Sequence, residues 1–318
     1  MRLLLATLFT FMFLNPVFAQ DYPQRRITLV VGFGAGGGTD VNARIFGEVL
    51  SRNLKVPVII ENKTGAGGAI AASYVQRAAP DGYTLLVMSG LQHAYIAASQ
   101  SDAQYEPITG FAPVGTFFQM ISVLTVPISD PANTIEEFVE RGKAKSNGVL
   151  LGSPGPGSPP HLFGILMHEA TGLQVQSVQY RGSSDFMSDL SSGRIDFSFP
   201  TWGLAQSFIV DKRAKALAVA ADKRWSELPN VPTLTEAKVI KEMPAMWFAV
   251  LAPAATPDPI IAKINAAFRD AAKDPELNRK INASGMEVRV NSPGELHQLM
   301  LSEQEKMADI VNRYNLKQ

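Results

Sequence analysis

Two glycine-rich stretches carry most of the chemistry that this sequence can offer. Gly32-Phe33-Gly34-Ala35-Gly36-Gly37-Gly38-Thr39-Asp40 follows a β-branched run over residues 26–31. It precedes apolar residues at helical spacing, Val41, Ile45, Val49 and Leu50. Gly152-Ser153-Pro154-Gly155-Pro156-Gly157-Ser158-Pro159-Pro160 stands in the same relation to an apolar run at 149–151 and to a helix expected from about His161. Glycine lets the backbone adopt positive φ and come close to a ligand. The helix that follows offers unbonded N–H groups and the positive end of its dipole. Ser158 suits an N-cap and Pro159 the first helical position. Such a turn can hold a carboxylate without lysine or arginine. One turn alone reads as a tight connection packing helix on sheet; a pair facing across a cleft would grip an anion from two sides.

Other chemistries fit less well. Gly32, Gly34 and Gly37 satisfy the dinucleotide pattern G-x-G-x-x-G, and Glu61 follows a second strand where a ribose-binding acid would sit. An export signal (below) argues against a nicotinamide enzyme. The serine-hydrolase elbow G-x-S-x-G fails around Ser158 because a proline, Pro160, stands where the second glycine belongs. His161 and His168 are seven apart, too far to share one metal, and there is no cysteine, so no metal and no cofactor are expected. Ser89, Gln92 and His93 follow the strand at 84–88, at the carboxyl end where open α/β sheets bind ligands, and are candidates for the cleft. His161 is a further candidate. Phe117, Phe118, Trp202, Trp247 and Phe248 either pack a core or line the pocket, and Arg181 either pairs with a second carboxylate or lies at the surface.

The elements around these stretches alternate strand and helix. Strands are expected at 56–60, 84–88, 175–179, 195–199 and 216–220, and a helix at 69–79, implying parallel β-α units with helices on both sheet faces. Apolar segments at 123–126 and 247–251 bracket the second half and suit strands by which the chain crosses and returns. Beyond 259, two or three amphipathic helices and a short strand near 286–290 are expected. At the start, Met1-Arg2, an apolar run to Leu14 and Val17-Phe18-Ala19 have the order of a cleaved secretory signal over residues 1–19. Lys+Arg and Asp+Glu both number 29, so no broad basic surface points to nucleic acid or anionic lipid.

Further segments complete a pattern: Tyr22-Pro23, Val58-Ile59-Ile60-Glu61-Asn62 with Gly65-Ala66-Gly67-Gly68, Ala79-Pro80-Asp81-Gly82-Tyr83, Phe111-Ala112-Pro113-Val114, Tyr180-Arg181-Gly182, Gly193-Arg194-Ile195-Asp196 and Leu228-Pro229-Asn230-Val231-Pro232-Thr233. With the two glycine stretches, they resemble the Bug family of periplasmic receptors that serve tripartite tricarboxylate transporters. The resemblance implies a type II periplasmic-binding fold: lobe 1 from 20–121 plus 244–318, lobe 2 from 122–243, two crossing segments and a cleft between. It implies a non-enzymatic, monomeric, periplasmic protein that captures a small di-, tri- or aromatic carboxylate and delivers it to a membrane permease. Sensing through a membrane kinase, or an exported enzyme, are the alternatives. Carried over by motif, Phe33, Ala35, Gly36, Gly37, Gly38, Thr39 and Asp40 face Ser153, Gly155, Gly157, Ser158 and His161. Thr201 and Trp202, in Phe199-Pro200-Thr201-Trp202, replace a frequent acid, and Asp185 replaces a frequent small residue or proline. Those departures bear on the far end of the ligand.

Overall fold

A computed structural model of the chain describes residues 22–313 apart from 37, 100–104, 156–157, 181–182, 242 and 245. The expected leader over 1–19, and Gly37, Gly157 and Arg181, lie outside the described residues.

Strands β1 (Ile27–Val31), β2 (Val58–Asn62) and β3 (Thr84–Ser89) run parallel, joined through helices α1 (Gly38–Leu54) and α2 (Ala69–Gln76). Helix α3 (Gly90–Ser99) starts directly where β3 ends. Strand β4 (Phe111–Met120) then leads through Ile121 into β5 (Ser122–Pro127). The middle of the chain supplies α4 (Ile135–Lys143), β6 (Val149–Ser153), α5 (Pro159–Thr171), β7 (Val175–Gln179), α6 (Ser183–Ser191), β8 (Phe197–Ser198), α7 (Trp202–Val210) and β9 (Ala214–Ala220). After β10 (Trp247–Pro253) come α8 (Asp258–Ala271), α9 (Pro275–Ala283), β11 (Met286–Val288) and α10 (Pro293–Arg313).

These strands form two sheets, in the orders β11-β4-β10-β3-β1-β2 and β7-β6-β8-β5-β9. The chain passes from the first to the second at Ile121 and returns between β9 and β10. The parallel units expected from strand-helix alternation are present, as β1, β2 and β3 in the first sheet and β6, β7 and β8 in the second, and the other strands run antiparallel. Strand β10 lies antiparallel between β3 and β4, β11 is antiparallel to β4, and β5 is antiparallel to β8 and β9. A strand that enters from the other sheet arrives from the opposite end, so its direction is set by the crossing and not by a local β-α unit.

Alternation along β1 places Leu29 and Val31 on one face with Phe46 of α1 and Phe268 of α8, and Val30 on the other with Ala72 of α2 and Leu86. In the second sheet, Leu151, Phe197 and Phe199 pack with Phe163 of α5. That same cluster contains Leu91, Ala94 and Tyr95 of α3 and Met307, Ile310 and Val311 of α10, while Leu296 and Met300 of α10 sit in a core of the first sheet. One helix therefore packs into both cores. No helix among the described residues is long and apolar enough to cross a membrane.

Candidate ligand-binding site

The chain leaves β1 through Gly32, which lies against the second glycine turn of the same lobe. A Cβ on Gly32 would stand 2.8 Å from the Cα of Gly68, so the two turns can close on each other only without a side chain there. Phe33 is half-buried on the first core, Ala35 and Gly36 are exposed, and Gly38 and Thr39 open α1. The first N–H groups of α1 have no carbonyl within the helix to bond. Ser89 and Gln92, at the β3–α3 junction, line a small depression with Gly32, Phe33 and Gly68. Sequence reasoning brought these residues to one place, apart from Gly68.

Asp40 behaves differently from the expectation that it contacts the solute. Its side chain is 2% exposed, and its carboxylate accepts the Gly36 amide at 2.9 Å, Nε and Nη2 of Arg44 at 3.0 and 2.9 Å, and Nδ2 of Asn62 at 2.8 Å. The Arg44 guanidinium holds it well below the usual carboxylate range, at about 2. An anion already committed to four donors has nothing to offer another anion, so Asp40 is a strut of the loop. Arg44 and Asn62 escaped the sequence reading. The Asp40–Arg44 spacing of one helical turn was the available signal; the approach of Asn62 from the end of β2 left none.

In the second lobe, β6 delivers Ser153, fully buried, whose hydroxyl pairs with that of Ser177 at 2.8 Å. The Gly155 amide donates to the Ser153 hydroxyl at 3.3 Å, and Ser158 donates to the Gly155 carbonyl from its amide at 3.2 Å and its hydroxyl at 2.6 Å. Two expectations change. Ser158 is the N-cap of α5 by position, but its hydroxyl is turned back into the loop and caps nothing. The Gly155 amide is used internally. Because Pro159 and Pro160 have no N–H, the first turn of α5 offers at most the His161 amide. The His161 ring is half-buried beside Ser177, Gln174 and His168, its Nδ1 has no partner among the described residues, and burial pushes its pKa down.

Among the remaining candidates, the aromatic rings are buried in cores. Trp202 is 3% exposed and packs with Val123, Val219 and Trp225, its ring inside the second lobe. Its amide donates to the Ile121 carbonyl at 2.8 Å, and Thr201, half-buried at the N-cap of α7, bridges Ser122 across the crossing. Asp185 is exposed in the first turn of α6. Phe117, Phe118, Trp247 and Phe248 are all buried in cores. A groove of about 550 Å³ between α5 and α10, lined by Leu166, Met243, Met307 and Ile310, contains none of the expected residues.

His93 is also moved out of the cleft. It is 3% exposed in a cluster with Tyr105 and Phe111. A carbonyl can only accept, so Nε2–H donates to Pro107 O at 2.8 Å and the Tyr105 hydroxyl donates to Nδ1 at 3.2 Å. Burial pushes the imidazole from 6.5 down to about 4. A histidine neutral when folded and charged when unfolded contributes full stability above 6.5 and loses it as pH falls toward 4. Urea unfolding should show that the stability lost between pH 7 and 5 is about 2 kcal/mol smaller in His93→Gln than in the wild type. Equal losses in the two proteins would refute this account of His93.

The sequence matches the family described as tripartite tricarboxylate transporter family receptor (TctC) over residues 42–316. Among solved structures, the periplasmic binding protein BugD is 30% identical, with a TM-score of 0.77 over 93% of this chain and 99% of that one. MatC (Rpa3494) of Rhodopseudomonas palustris with bound malate is 30% identical, with a TM-score of 0.75 over 91% of this chain and 100% of that one. Rpa4515 of R. palustris with adipate is 30% identical, with a TM-score of 0.79 over 92% and 98%. The architecture is the two-lobed, type II periplasmic-binding fold. Matched in this way along nearly its whole described length, the chain belongs to the TctC, or Bug, family of solute-binding receptors, a family of binding proteins and not of enzymes.

Proposed function

We propose that this protein is exported through a leader at residues 1–19 and captures a small organic carboxylate in the periplasm for a tripartite tricarboxylate-type permease. Lobe 1 comprises 20–121 plus 244–318 and lobe 2 comprises 122–243, with α3 and α10 touching both cores. The carboxylate is received by the opening amides of α1, at Gly38 and Thr39, with Ala35 and Gly36 beside them. Ser89 and Gln92 flank it, and His161, at the start of α5, meets it from the other lobe. Closure about the crossings then buries it, driven by the ligand's tighter binding to the closed form. The observation that carries this reading is the likeness, at 30% identity and over nine-tenths of the chain, to two proteins solved with malate and with adipate. No cofactor, metal or chemical step is part of it.

Calorimetry on the purified protein tests the proposal. At least one of malate, adipate, a tricarboxylate or an aromatic carboxylate should bind with a Kd on the order of micromolar or tighter and be recovered unchanged. Absence of heat and of thermal stabilisation with every carboxylate class would sink the reading, and turnover of the bound acid would replace it with an enzyme.

A further inference from the structure

Asp40 places a negative charge in the first turn of the helix that is to receive the solute's own carboxylate. Two anions at one helix N-terminus repel, and the helix dipole cannot serve both equally. The structure answers this conflict with a compact network. Arg44, one turn along α1, takes both carboxylate oxygens of Asp40. Asn62, at the end of β2, donates its Nδ2 both to Asp40 at 2.8 Å and to the Phe33 carbonyl at 3.0 Å, while its Oδ1 accepts from Arg44 at 3.1 Å. The Gly36 amide completes the set. The loop is thus pinned at two points, the Phe33 carbonyl and the Gly36 amide, by groups that also cancel the charge of Asp40. The other acid close by in sequence, Glu61, is engaged by Lys63 at 2.8 Å.

We propose that Asp40, Arg44 and Asn62 form a positioning unit that shapes the loop at 33–36 and neutralises the acid, keeping the start of α1 attractive to an anion, and that none of the three touches the solute. The inference rests on the carboxylate reading above. The low carboxyl pKa of Asp40 agrees with a pair that stays fully ionised under all ordinary conditions.

A charge cycle read by calorimetry with malate and with adipate separates this role from direct contact. Arg44→Gln leaves the Asp40 charge unpaired and should weaken binding on the order of ten-fold. Removing both charges, in Asp40→Asn/Arg44→Gln, should recover most of that loss. Wild-type affinity in Arg44→Gln, or a double variant as weak as the single one, would overturn neutralisation; the second result would mean that the guanidinium holds the solute itself. The shaping role has its own readout, independent of any ligand. Hydrogen exchange at the Gly36 amide should be at least about ten-fold faster in Asp40→Ala than in the wild type. Unchanged exchange in a folded variant would overturn it. Should the wild type bind no carboxylate, the functional reading falls and neutralisation with it, while the exchange result still decides the loop.

Discussion

Adding one methyl group at position 32 is expected to weaken carboxylate binding at least about ten-fold and to cost about 1–3 kcal/mol of stability. The reason is the identity of the atoms it meets. The new Cβ would stand 2.8 Å from Gly68 Cα and 3.5 Å from Gly68 O, and backbone cannot rotate aside as a long side chain can. Gly68 is itself held at φ 102, at the start of α2, so the turn at 65–68 has little freedom to retreat. The displacement therefore falls on residues 33–36, whose outer end is pinned by Asp40. Gly294→Ala serves as the control, because a Cβ there meets nothing within 4 Å and the site lies in the first turn of α10, far from both loops in sequence. Calorimetry and urea unfolding on the two variants should separate them clearly; wild-type affinity in Gly32→Ala would show that the contact of the two turns does not position the loop.

Phe46→Ala is expected to be the most destabilising truncation near the site, at about 3–5 kcal/mol. Phe46 is fully buried on the inner face of α1. Its ring lies 4.9 Å from that of Phe117 in β4 and 5.1 Å from that of Phe268 in α8, the latter edge-on at 86°. Such aromatic contacts add to the burial itself, and three different elements would have to move to fill the void. The melting temperature should fall by roughly 10 °C for a protein of this size. A loss below about 1 kcal/mol in urea unfolding would mean that α1 is not held by this contact. Because α1 carries both Asp40 and the amides proposed to receive the carboxylate, residual malate binding measured well below the melting temperature should be weaker than in the wild type, in proportion to how far α1 has loosened.

Much of this arrangement was legible because it is local. A buried parallel strand needs a run of apolar, β-branched residues, and β1 and β3 announce themselves that way; β7, a half-exposed edge strand with polar residues between its valines, was bounded to the residue by its flanking turns. Turns rich in glycine mark strand-to-helix connections, so both loops were found. Failures came where the deciding partner is remote. Strand β4 reads poorly because Pro113, Gly115, Thr116 and Gln119 interrupt its apolar pattern; Thr116 is nonetheless satisfied by Arg289 O at 2.7 Å, across 173 residues. Helix α3 begins without a loop or a capping residue, at Gly90, whose missing Cβ makes room for the Trp247 ring. Without that helix the face on which His93 lies was unknown, and a ring bonded to Pro107 and Tyr105 was assigned to the cleft. Trp202 failed similarly, since only the pairing of its segment with β5 turns the ring into the second core. Asp40 was found, but the hydrogen bonds that occupy its carboxylate were not legible, because Asn62 is 22 positions away.

Selective ¹⁵N labelling of glycine offers the most direct measurement of the central claim, that one carboxylate is held jointly by the two glycine stretches. Their glycines are Gly32, Gly34, Gly36, Gly37 and Gly38 in one and Gly152, Gly155 and Gly157 in the other. Titration with malate or adipate should shift amide signals in both stretches with a single common saturation curve, leaving remote glycines such as Gly193 and Gly294 in place. Shifts confined to one stretch, or appearing only at remote glycines, would contradict a site shared between the lobes.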